Sequence, residues 1–335
     1  MNFIQLEGWA CAGKGVLWSL LDGHSEIFVC PTHDFSHCVE YYGDIDKFSF
    51  RNSLSKTEYY KLEKLSSIGY DPISFGNKAE EKNPFNFNFY EFDRSVSSMI
   101  LKNEKLKGID FAKLYARNFI KNYTPNNPEL INKKYNFFAA MGNYHCYKRY
   151  ELTNMIKEIK TIVVIREVEG IVASRVNRDP RDVDSASYKH FSPEFRSLIR
   201  KSEVEMICDY NNFMKKLANK YPDNFLIIDF KKLISSHSTQ MKKVCNFLDI
   251  EFEDILNTPT RDAISIGNED NSFVGKENDN PNEILTFKEK VIIQIHKVLF
   301  NFHKQPFNIL NPIEILRFIY RRFQDKKFKF NYDNN

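Results

Sequence analysis

The feature that most constrains this chain is Gly8-x-x-x-x-Gly13-Lys14, set between an apolar run at residues 2–7 and a helical pattern at Val16, Leu17, Leu20 and Leu21. Glycines let the backbone come close enough for its N–H groups to wrap an anion at a helix N-terminus, and the lysine adds a charge-assisted contact. Residues 2–7 predict a strand, Gly23 the stop of the following helix, and Glu26–Cys30 a second strand ended by Pro31. Strand, glycine loop, helix and strand make a βαβ unit. The alternative for the same residues is a tight strand-to-helix turn carrying an exposed lysine.

The next position narrows the chemistry. Loops of this kind that handle nucleoside triphosphates follow the lysine with Ser or Thr, whose hydroxyl holds Mg²⁺. Here it is Gly15, which has no side chain to offer a metal. Phosphate cradling at Ala10, Cys11, Ala12, Gly13, Lys14, Gly15 and Val16 survives, and a donor that needs no bridging Mg²⁺ fits better.

The rest of the chain predicts an α/β fold: a P-loop-type, mostly parallel sheet flanked by helices on both faces, with a helical and loop insertion. Strands are expected at Tyr135–Met141, Thr161–Ile165 and Phe225–Asp229. Helices are expected around 168–174, 200–220 and 287–301, and another, capped by Ser238, with Met241, Val244, Cys245 and Leu248 as its apolar stripe. Residues 40–130, rich in Tyr, Phe, Lys and Asn, read as the insertion. Residues 1–311 then form one domain and 312–335 a basic, aromatic tail. Hydrophobic residues at 42% exclude a wholly disordered chain, and no apolar run approaches a membrane span. A net charge of +4 demands no nucleic-acid partner. Six cysteines without a CxxC pair, and a start that runs straight into a core strand, lead us to expect a reducing cytoplasm. Cys30-x-x-His33-x-x-x-His37-Cys38 has zinc-ligand residue types but no second cluster, so no metal is expected.

A second anion site is expected where Arg166 leaves the strand Thr161–Ile165 and Ser174 follows eight residues on, pairing a guanidinium fork with a hydroxyl. Read alone, the pair also fits a strand-end ion pair and a helix-surface serine. Set in order along the chain, Phe3–Phe35 with its "LLDGHSEI" stretch, "TIVVIREVEGIVASR" at Thr161–Arg175, "NFLIIDFKKL" at Asn224–Leu233 and "VCNFLDIEF" at Val244–Phe252 resemble the sulfotransferase family that uses 3′-phosphoadenosine 5′-phosphosulfate. Asn271-Ser272 is similar to an Asn-Ser pair of its carbohydrate-type members. The resemblance implies that Lys14 and the first loop hold the 5′-phosphosulfate, and that Arg166 and Ser174 hold the 3′-phosphate, with Asn271 and Ser272 also on the donor. It implies a catalytic base after the second strand, His33 first and Asp34 second, with Lys14 also in the catalytic set. Many members read Ser-Gly-Thr in the first loop after a basic residue, where this chain has Ala12-Gly13-Lys14 after Cys11. The Lys-x-Pro-type segment is not recognisable in Phe137–Tyr147.

Two rival readings stand beside it. Four apolar residues and Asp229 have the look of a Mg²⁺-holding strand end in a P-loop kinase or NTPase. A non-catalytic nucleotide- or glycan-binding protein of the same fold is the other. The acceptor expected is a carbohydrate or glycolipid, for which the aromatic residues of 40–130 offer either platforms or merely insertion core. The tail, with Leu316, Ile319, Tyr320 and Phe323 on one helical face among basic residues, either contacts an anionic membrane peripherally or docks on the domain.

Overall fold

The computed structural model describes residues 1–31, 44–45, 58–71, 83–102, 106–142, 159–177, 193–265 and 280–302. In chain order the principal elements are β1 (Asn2–Glu7), α1 (Lys14–Leu21), β2 (Ile27–Val29), α2 (Glu58–Ile68), α3 (Phe89–Lys102), α4 (Gly108–Asn122), β3 (Phe137–Met141), β4 (Lys160–Ile165), α5 (Val168–Asn177), α6 (Pro193–Lys220), β5 (Phe225–Asp229), α7 (Phe230–Ser235), α8 (His237–Leu248), α9 (Pro281–Ile284) and α10 (Phe287–Phe302). The strands form one five-stranded sheet in the order β5-β4-β1-β3-β2. Every pairing is parallel, with Asn2 opposite Phe137, Ile4 opposite Lys160, Thr161 opposite Phe225 and Ile27 opposite Phe137. β1 is central. The chain goes from it to one edge and later crosses to the other, so the loops after β1, β3 and β4 meet at the switch point where open α/β sheets bind ligands.

Strand alternation divides the core. Ile4, Leu6, Ile162, Val164 and Ile228 face α1, α7 and α8. On the opposite face, Val163, Ile165 and Phe225 pack under α5, α6 and α10. The other half of that face, Phe3, Phe28, Phe138 and Ala140, is covered by the helices between β2 and β3. The insertion therefore forms part of the covering layer. Its ring cluster of Phe85, Phe87, Phe92, Tyr115, Phe119 and Tyr123 is buried core, which among the described residues answers the choice between sugar platform and core in favour of core. Among the described residues of the insertion, the Tyr90 ring is exposed.

Two details differ from the sequence expectation. The helix begun near residue 200 starts at Pro193. Ser238 lies inside α8 and does not cap it: α7 runs almost to its start, and Ser236 stands at the junction. Beyond α8 a short hairpin pairs Thr260 with Ser265, and α9 follows.

Candidate functional site

The loop between β1 and α1 begins at Gly8, where any Cβ would come within 3.1 Å of the Val164 carbonyl of the neighbouring strand. The turn is completed by two left-handed residues, Cys11 at φ 65° and Gly13 at φ 100°. A side chain at Gly13 would collide with the Phe230 ring, so the left-handed backbone and the ring contact both demand glycine there. Helix α1 starts at Lys14, directing its first-turn N–H groups and the positive end of its dipole into the loop. Lys14 Nζ donates to the Gly142 carbonyl at the end of β3, 2.8 Å away.

Arg166 comes to the same place from β4. It is 6% exposed, and its Nη1 donates to the Cys11 carbonyl at 3.1 Å. Its guanidinium lies over the Phe230 ring, 4.3 Å from the centroid. On α5, a Cβ on Gly170 would stand 2.7 Å from Arg166 Nε. Asn211 Nδ2 donates to the Arg166 carbonyl at 3.3 Å. Ser174 stands one turn beyond Gly170 on α5 and so shares the helix face that meets Arg166. The structure thus joins Gly8–Val16 with Arg166 and sets Ser174 on the adjoining helix face. His33, Asp34, Asn271 and Ser272 lie outside the described residues, as do His37, Cys38 and the tail 312–335.

Several residues that shape the site were not singled out from sequence. Glu7, the last residue of β1, is fully buried; Gln5 Nε2 donates to its Oε1 at 2.8 Å and Tyr210 Oη to its Oε2 at 3.3 Å. A side chain on Gly142 would run into that carboxylate. Trp9 donates to Glu203 Oε1 at 3.2 Å and meets Tyr210 edge-on at 5.6 Å, and Arg175 pairs with Glu203 as well. The long helix α6 thereby grips the loop from one side as Phe230 does from the other. A glycine directly after a buried strand, and an aromatic directly after β5, were the available signals for Gly142 and Phe230. Asp229 Oδ1 accepts from the Lys232 N–H at 3.1 Å and caps α7, which accounts for the acidic strand end without a metal. Among the described residues no group of three or more His, Cys, Asp or Glu is arranged to hold a metal ion. Among them, too, no helix is long and apolar enough to cross a membrane.

A glycine loop at the switch point of a parallel sheet, bonded to an arginine at the end of the neighbouring strand, defines an α/β protein of the glycine-loop type. Residues 102–254 match the model of the sulfotransferase family. The matched stretch contains Arg166 and Ser174 and excludes the Gly8–Gly15 loop. No curated protein matches the sequence. Among solved structures, the chain is similar to the sulfotransferase domain from the curacin biosynthetic pathway, at 13% identity over 90% of this chain and 97% of that one, with a TM-score of 0.46. It is similar to the sulfotransferase domain of the Synechococcus PCC 7002 olefin synthase, at 13% identity over 89% and 94%, TM-score 0.47. A sulfotransferase from Alicyclobacillus acidocaldarius shares 12% identity over 90% and 95%, TM-score 0.39. The fold assignment rests on the strand order and not on these likenesses.

Proposed function

We propose that this sulfotransferase-family chain moves a sulfuryl group from 3′-phosphoadenosine 5′-phosphosulfate to a hydroxyl of a carbohydrate or glycolipid acceptor. The observation that supports the reading is the bond from Arg166 to the Cys11 carbonyl, which joins the glycine loop to the end of β4 beside Gly15, where a metal-holding hydroxyl would stand. In-line transfer asks the protein to hold the donor, to neutralise charge growing on the leaving oxygen and to take the acceptor's proton. Lys14 and the N–H groups of Ala10–Val16 serve the 5′ end. Lys14 donates to a neutral carbonyl in this structure and gains an anionic partner when a phosphate oxygen replaces it. Arg166 and Ser174 serve the 3′-phosphate, with Asn271 and Ser272 assigned to the donor by resemblance. His33, or failing it Asp34, takes the proton.

The reading is tested by thermal shift. Adenosine 3′,5′-bisphosphate, the product of the transfer, should raise the melting temperature in EDTA, and ATP with Mg²⁺ should do so far less. At 100 times its dissociation constant a ligand stabilises by about 2.7 kcal/mol, enough to see. A strong EDTA-sensitive shift with ATP, and none with the bisphosphate, would replace the reading with a kinase. No shift with either would favour a binding protein without this chemistry.

A further inference from the structure

Helix α6 turns one face to four segments of the glycine-loop site. Glu203 Oε1 accepts from Trp9 Nε1 of the loop at 3.2 Å and pairs with Arg175 of α5. Two turns further along α6, Tyr210 Oη donates to Glu7 Oε2 at the end of β1, 3.3 Å away. Beside it, Asn211 Nδ2 donates to the Arg166 carbonyl at the end of β4, also at 3.3 Å. Glu203 differs from these two in joining two segments through one oxygen. A buried carboxylate is costly unless it is paired and hydrogen-bonded, and here a guanidinium and an indole N–H both meet it.

The two partners of Glu203 sit in elements with different tasks. Trp9 belongs to the loop assigned to the 5′ end of the donor. Arg175 follows Ser174, which is assigned to the 3′-phosphate. Helix α5 is held at three points along its length. Its first turn is tied outward to α10, where Lys297 Nζ and Gln294 Nε2 donate to Glu169 Oε1 at 2.7 and 2.6 Å. Its middle is stopped against Arg166, since a Cβ on Gly170 would stand 2.7 Å from Nε. Its last turn is drawn toward the loop by the pair of Arg175 with Glu203. Ser174 lies between the second and third points, so the Glu203 link sets how far it stands from the loop. Buried ion pairs add little stability over apolar side chains of similar volume, and this one joins two anion sites at a fixed separation.

We propose that Glu203 is a positioning residue that sets the separation between the 5′- and 3′-phosphate sites, and so makes the chain select nucleotides that carry both phosphates. The proposal rests on the donor reading above and adds the source of its selectivity. Two phosphates on one ribose are presented at a fixed span. Once the first is seated, the second binds as though at high local concentration, provided its site stands at that span. Unlinking Trp9 from Arg175 lets the last turn of α5 drift, and the second phosphate then adds less. A nucleotide with a 5′-phosphate alone uses the loop and does not sense the change.

Calorimetry on the full chain with adenosine 3′,5′-bisphosphate and with adenosine 5′-monophosphate tests it, beside the melting temperature of each variant. Glu203→Leu with Arg175→Met replaces the buried pair by apolar side chains of similar length. It should lose about tenfold in affinity for the bisphosphate, part of the gain that a second linked contact brings. Its affinity for the monophosphate should stay within about twofold of the parent's. Glu203→Gln keeps Oε1 as an acceptor for both partners and should restore the parental preference. Equal weakening toward both nucleotides shows a merely structural role and overturns the proposal, as does a double variant with the parent's ratio of affinities. If the double variant melts several degrees lower, Trp9→Phe takes its place: it cuts the indole end of the link and leaves the Arg175 pair intact. The same fall in ratio is expected there, and a parental ratio overturns the proposal. A parent that binds the two nucleotides equally well overturns the donor reading and this proposal with it. A parent that prefers the bisphosphate, with variants that prefer it as strongly, overturns the role of Glu203 alone.

Discussion

Arg166 is held from several directions before any ligand arrives. The Phe230 face, the Cys11 carbonyl and the close approach of Gly170 leave its guanidinium little freedom, so its rotamer entropy is already spent when an anion binds. Arg166→Ala and Lys14→Ala should each weaken binding of adenosine 3′,5′-bisphosphate by about 10–150-fold, the weight of one charge-assisted bond of ~1.5–3 kcal/mol. Phe230→Leu keeps an apolar side chain beside Gly13 but removes the ring beneath the guanidinium. It should cost about 2–30-fold, from ~0.5–2 kcal/mol of cation–π contact. Calorimetry on the three variants checks the order; a Phe230→Leu variant with parental affinity removes the ring from the site. The sequence announced Arg166 and Lys14 through their spacing from strand and glycine. It could not announce Phe230, because an aromatic after a strand serves equally as core, and only its placement against Gly13 and Arg166 separates the two roles.

Among the elements, α1 is anchored at both ends, and the second anchor is a buried carboxylate. Asp22, just past the last residue of α1, accepts from Thr260 Oγ1 and from the Ala263 N–H, each at 2.8 Å. The same hairpin offers Asp262 to Tyr123 Oη at 2.8 Å and to the Asn126 N–H at 3.1 Å, tying α1, the insertion and residues 260–265 together. Burial pushes the Asp22 carboxyl up from 3.8 to about 6, against its hydrogen bonds to Ala263 and Thr260. The folded state therefore holds a proton between pH ~4 and ~6 that the unfolded chain has released, so this group's contribution is present below pH ~4 and is lost as pH rises through 6. Two pH units correspond to about 3 kcal/mol. Asp22→Asn, whose amide oxygen accepts the same two bonds, should gain stability over the parent as pH rises from 4 to 6.5, by up to that amount. Urea melts across the range measure it, and a constant difference would show the carboxyl to be ordinary. Gly23 marked the helix end in the sequence. The partners of Asp22 lie some 240 residues further along, at Thr260 and Ala263, and local pattern carries no trace of such a pair.

At the scale of the molecule, the sheet and the insertion share one core, with Phe119 at the join. It is fully buried and meets Phe28 and Phe138 of the sheet as well as Phe87 and Tyr115 of the insertion. Phe119→Ala should cost about 3–5 kcal/mol and leave a single unfolding transition, whereas Tyr90→Ala, 71% exposed, should change little. Two separated transitions in the Phe119 variant would mean that the insertion folds by itself. The α/β class was legible because Ile162–Ile165 and Phe225–Ile228 are continuous apolar runs, as strands buried on both faces must be. The insertion's role was not, since its rings show no clean period and gain their meaning only against Phe28 and Phe138. The strand order itself bears on how the chain comes to be folded. β1 is made first, yet Asn2 pairs with Phe137 and Ile4 with Lys160. During synthesis the central strand leaves the ribosome with neither neighbour made, and its backbone stays unpaired on one side until the chain has grown past Ile165. Loops of that length are slow to close and leave apolar strand exposed to other chains meanwhile. Translation speed before Ile165, and holdase chaperones waiting there, should therefore govern the yield of soluble protein more than any change to its final stability.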